Sequence, residues 1–74
     1  MKKITYAERI KQLREEDGIS QAKLAKAIGV NQSAIALWEN GNRKPNSDAI
    51  IDLAAYFEVT TDYLLGVSDD SNPR

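Results

Sequence analysis

Residues 20–41, SQAKLAKAIGVNQSAIALWENG, constrain this chain more than any other stretch. Their spacing predicts two short helices joined by a tight turn. Ser20 stands where its hydroxyl can accept an unpaired N–H of the first helix's opening turn. Leu24, Ala25 and Ile28 then fall on one face at helical spacing. Gly29 stops that helix, because a left-handed residue costs least at glycine. Val30 supplies an apolar residue to the turn, and Asn31 is positioned to cap a second helix whose inward face carries Ile35 and Trp38. Asn40-Gly41 ends it. Ala25 has a definite task in this arrangement, since a small side chain lets two steeply crossed helices approach closely.

The flanking sequence reads as support for that pair. Thr5-Tyr6-Ala7-Glu8 fits a capping box at the start of a helix running to about Asp17, with Tyr6, Ile10 and Leu13 on one stripe. Gly18 ends it, and Ile19 fills the gap before Ser20. Asn42-Arg43-Lys44-Pro45 is a polar loop whose proline disfavours helix immediately before it. Asn46 is the expected cap of a fourth helix with Ile50, Leu53, Ala54 and Phe57 facing inward. Thr60 is the expected cap of a short fifth helix with Leu64 and Leu65 apolar, closed by Gly66. Residues 1–4 read as a loose arm. Residues 67–74, VSDDSNPR, are polar, acidic and aperiodic, a frayed terminus or the start of a linker. The expectation is an all-α chain of five helices, with one domain over 1–66 and a polar tail over 67–74.

Seventy-four residues leave room for one small core, and the absence of cysteine and histidine excludes disulfides and Cys/His metal sites. Helix packing must therefore suffice. A chain without cysteine suits a reducing cytoplasm. No apolar run approaches the ~20 residues of a membrane span, and the lysines at the start are not followed by the apolar core of a secretory signal. The net charge of −1 speaks against a nucleic-acid partner when taken alone, but its distribution reverses that reading. Residues 1–45 hold nine Lys/Arg against five Asp/Glu, a net +4, while residues 46–74 hold one against six, a net −5. The two-helix unit lies in the basic half. No nucleophile–base set, phosphate-binding glycine loop or metal-ligand spacing is present, so no catalytic residues, cofactor or small-molecule ligand are expected.

The pattern Ser20-Gln21, Leu24-Ala25, Ile28-Gly29-Val30, Gln32-Ser33, Ile35, Trp38-Glu39-Asn40-Gly41 and Pro45 resembles the Cro and phage-repressor family of Xre-like helix-turn-helix regulators. A second block, Leu53-Ala54, Val59 and Asp62-Tyr63-Leu64-Leu65-Gly66, agrees in order and spacing. The resemblance covers roughly residues 10–66. It implies a compact five-helix domain of lambda-repressor-like type. It also implies a sequence-specific double-stranded DNA-binding regulator, a repressor of phage or mobile-element type, acting as a homodimer on a pseudo-palindromic operator. An antitoxin component, or a protein-interaction module on the same fold, is the alternative.

Helix N-termini suit phosphate, and a glutamine can pair with adenine through two hydrogen bonds. The resemblance assigns base reading to Gln32, then Ser33 and Asn31, with Gln21 contacting phosphate and bracing Gln32. Ala36 and Leu37 depart from the family's usual polar or basic residues. They are expected near the exposed side of the third helix, where they could meet a thymine methyl or, equally, a protein. Lys23, Lys26, Asn40, Arg43 and Lys44 are the candidate phosphate contacts, which set affinity rather than sequence preference. Composition alone leaves Arg14 and Glu39 as two solvated charges; the resemblance pairs them as a structural ion pair. Tyr56, Tyr63, Ile51 and Leu65 are the candidate dimer contact, although exposed apolar residues of this kind occur on monomers too.

Overall fold

The computed structural model describes residues 4–70. Five helices follow one another: α1 (Tyr6–Glu16), α2 (Gln21–Ile28), α3 (Gln32–Glu39), α4 (Ser47–Phe57) and α5 (Thr61–Leu64), with no strand among the described residues. Each helix contributes one fully buried aliphatic side chain to a common core: Ile10, Leu24, Ile35, Leu53 and Leu64. Leu13, Ala25, Trp38, Ala49 and Ala54 complete it. Small residues at 25, 49 and 54 let the helix axes approach. The most extensive contact is α2 against α3, backed by α1 against α3. Burying each large aliphatic residue stabilises the fold by about 1.5–3 kcal/mol, the only large favourable source in a chain with no cross-link.

Four of the five helices are capped as expected. Thr5 and Glu8 form the reciprocal capping box. Ser20 Oγ accepts from the Lys23 amide, Asn46 Oδ1 from Ala49, and Thr60 Oγ1 from Tyr63. Asn31 differs. It occupies the cap position of α3, but its side chain makes no capping hydrogen bond. The Ala34 amide, which that side chain would have served, donates instead to Asn31's own carbonyl at 3.0 Å. A direct contrast follows. Asn46→Ala should cost about 1 kcal/mol, the ordinary value of a cap, whereas Asn31→Ala should cost only a few tenths. Urea unfolding of the two variants measures the difference, and equal losses would show that Asn31 caps in solution.

Gly29 ends α2 at φ +77°, and the Val30 amide reaches back to the Ala25 carbonyl at 2.9 Å. This is the turn that orients α3. At the end of α4 the left-handed position falls on Glu58, φ 56°, the one non-glycine among the described residues with positive φ. The loose arm expected at residues 1–4 is not loose at Ile4, which is half-buried with its carbonyl lying where a Cβ on Gly66 would have to go. Met1–Lys3 lie outside the described residues. The expected tail begins by folding back: the Val67 amide donates to the Asp62 carbonyl, and Thr60 Oγ1 to the Asp70 carbonyl.

Candidate nucleic-acid interface

α3 has two faces. Ile35 and Trp38 are buried, while Gln32 and Ser33 are exposed at its opening turn, with Asn31 exposed just before them. Ser33, Ala36 or Leu37, and Asn40 succeed one another at helical spacing, so the outward strip runs the length of the helix. Ala36 and Leu37 are half-buried rather than fully outward. The strip continues through Asn40 and residues 41–44, all of them exposed. Asn31, Gln32 and Ser33 make no side-chain hydrogen bond among the described residues, so their polar groups are available to a partner.

The loop after α3 is held by its own backbone. Gly41 turns it at φ +81°, and the Asn42 and Arg43 amides both donate to the Leu37 carbonyl, at 3.0 and 3.2 Å. Asn40 Oδ1 accepts from the Asn42 amide at 2.9 Å, and the Asn40 NH2 makes no hydrogen bond among the described residues. Pro45 is buried and closes the segment. The Arg43 and Lys44 side chains are exposed on it, as are Lys23 and Lys26 on α2.

Beneath this surface lies a polar knot joining three helices. Arg14 Nε donates to Glu39 Oε2 at 2.5 Å and Nη2 to Oε1 at 2.9 Å, a two-pronged pair. The remaining arm, Nη1, donates to the Ile19 carbonyl at 2.9 Å. The side chains are 13% and 5% exposed. The hydrogen bonds to Glu39 raise the Arg14 pKa above its ordinary value, against the opposing effect of burial. Gln21 Nε2 donates to the same carboxylate, Oε1, at 3.1 Å. The Gln21 amide nitrogen is thus turned toward Glu39, and no hydrogen bond joins it to Gln32 among the described residues. This differs from the bracing that the resemblance implied. Its physical reason is that a carboxylate has acceptor sites left after a two-pronged arginine. The consequence is to seat the first turn of α2 beside the last turn of α3.

The four late-chain residues expected at a dimer contact have different surroundings. Ile51 is 58% exposed on α4, and Tyr56 borders a shallow groove with Ala27, Ile28, Asp52 and Ala55. Five residues separate them, about 140° around a helix. Leu65 is half-buried, and Tyr63 packs on the core beneath Arg9, whose guanidinium carbon lies 3.7 Å from its ring centroid. Arg9, 5% exposed, is buried outside the Arg14–Glu39 pair, and sequence reading missed it. Its place between Tyr6 and Leu13 on the inner stripe of α1 was the available signal. Tyr6 was read as part of the inner stripe of α1, but not the contact of its hydroxyl, which donates to the Arg43 carbonyl at 3.2 Å.

A polar-fronted third helix, set by a glycine turn on a second helix and followed by a cationic loop, defines a helix-turn-helix protein. The chain belongs to the helix-turn-helix family HTH_3, whose profile matches residues 10–64. It is similar to the uncharacterized HTH-type transcriptional regulator YobD of Bacillus subtilis, 35% identical over 69 residues, which cover 93% of this chain and 62% of that protein. It is 38% identical over 58 residues to the repressor protein C2 of Salmonella phage P22, covering 78% of this chain and 27% of the repressor. The crystal structure of the P22 c2 repressor with a synthetic operator superposes with a TM-score of 0.83 at 34% identity, covering 88% of this chain and 98% of that one. The present chain therefore spans under two thirds of the length of these two regulators.

Proposed function

We propose that this chain is the DNA-binding domain of a transcriptional repressor that reads double-stranded DNA with α3. The observation that carries the reading is the start of α3, where three exposed polar side chains make no hydrogen bond among the described residues and the cap residue is left unspent. Gln32 reads a base, with Ser33 and Asn31 beside it, and Ala36 and Leu37 offer apolar surface to a thymine methyl. Gln21, Lys23, Lys26, Asn40, Arg43 and Lys44 contact phosphate and set register. Similarity to a repressor solved on its operator supports the same use of this surface. Two copies bind a pseudo-palindrome with half-sites ~34 Å apart. The late-chain set Ile51, Tyr56, Tyr63 and Leu65 forms the two-fold contact, with Ile51 and Tyr56 offering the most exposed area. The site of action is the cytoplasm.

Selecting bound sequences from a random duplex pool tests this. An inverted repeat should emerge, and Gln32→Ala should relax one position in each half-site, losing about 1–3 kcal/mol of discrimination there. No enrichment, together with no binding to random duplex at low salt, would favour a protein-interaction module. An antitoxin would still select an operator, and would differ in co-purifying with a protein partner.

A further inference from the structure

We propose that Tyr6 is a positioning residue for DNA binding, acting through the backbone of Arg43 to hold the cationic loop in its phosphate-facing shape. This rests on the reading that Arg43 and Lys44 meet phosphate. Tyr6 lies in the first turn of α1, thirty-seven residues from Arg43, with its ring half-buried against the core and its hydroxyl on the Arg43 carbonyl. The Arg43 amide is taken at the same time by the Leu37 carbonyl of α3. Both backbone groups of Arg43 are therefore tied, one to each of two helices, while its side chain remains exposed. Such a clamp fixes the direction in which residues 43 and 44 leave the surface. A loop ordered before DNA arrives loses less freedom on binding.

The neighbouring ties do not duplicate this one. The Asn40 side chain and the Leu37 carbonyl hold the amide side of the loop from α3 itself, so they move with α3. Tyr6 is the link from α1, which is anchored to the core through Ile10 and Leu13. Removing the hydroxyl keeps the ring, and with it the packing.

The test is a cycle of four proteins titrated with a random-sequence duplex at low salt: wild type, Tyr6→Phe, Arg43→Ala with Lys44→Ala, and all three changes together. Tyr6→Phe should weaken binding of the otherwise wild-type chain about 2- to 10-fold, the worth of one hydrogen bond. It should cause no further loss once Arg43 and Lys44 are alanine. Equal loss in both backgrounds would mean that Tyr6 acts elsewhere in the fold, and no loss in either would also overturn the assignment. Hydrogen exchange on the free protein gives a readout without DNA. The Arg43 amide should exchange several-fold faster in Tyr6→Phe while core amides of α2 and α4 stay unchanged; an unchanged Arg43 amide overturns the clamp. A wild-type chain that ignores duplex DNA altogether overturns the phosphate reading itself, a result distinct from these.

Discussion

Glu39→Ala should cost about 3–5 kcal/mol, because it strands the Arg14 guanidinium in a largely buried place without its counter-charge. Exposure decides the magnitude. Solvated ion pairs contribute about 0–1 kcal/mol, but here the side chains are only 13% and 5% exposed, and the pairing is two-pronged. A domain of this length has a total stability of about 4–11 kcal/mol, so the variant should be partly unfolded at physiological temperature. The damage extends beyond the pair. Arg14 also serves the Ile19 carbonyl and Glu39 also serves Gln21, so the junction of α1 with α2 and α3 should loosen as a unit. Replacing both residues, Arg14→Met with Glu39→Leu, should recover much of the loss, since a hydrophobic pair of similar size carries no stranded charge. Urea unfolding of the three proteins measures this, and a loss below ~1 kcal/mol for Glu39→Ala would mean that the pair is solvated. The raised pKa of Arg14 adds a sign. Its contribution is complete below the unfolded-state value and is lost only as pH rises through the folded-state value, so it persists throughout the neutral and mildly alkaline range.

Binding to duplex DNA should collapse with salt. Four cationic contacts from Lys23, Lys26, Arg43 and Lys44 give log K against log salt a slope of about −3.6 per protomer. Raising salt from ~50 to ~200 mM should then weaken a single domain's binding on the order of 100-fold, and a dimer on two half-sites by roughly the square of that. Fluorescence anisotropy across that range is sufficient. Lys44→Ala should flatten the slope by about one and weaken all sequences evenly, whereas Gln32→Ala should leave the slope alone. A slope near zero would remove the phosphate contacts from the reading, and with them the purpose of the basic half of the chain.

Much of the scaffold was legible because its signals are local. Thr5, Ser20, Asn46 and Thr60 cap amides three residues ahead, and Gly29 needs only its own backbone freedom to end α2. Ile10, Leu24, Ile35, Leu53 and Leu64 declared themselves by helical spacing, since a stripe of that period has one stable orientation in water. The same spacing held Arg9 on the inner stripe of α1, but a charge in that register looks like a boundary residue until a ring from α5 is known to lie beneath it.

What the order of residues determined by itself was where helices begin and end and which face each turns inward. Those choices depend on groups within four positions of one another. The tertiary structure alone decided that Gln21 serves Glu39 rather than Gln32 and that the Tyr6 hydroxyl meets the Arg43 carbonyl. Each depends on the angles at which whole helices cross. Such an angle is a sum over many side-chain contacts, and no short window of sequence contains it.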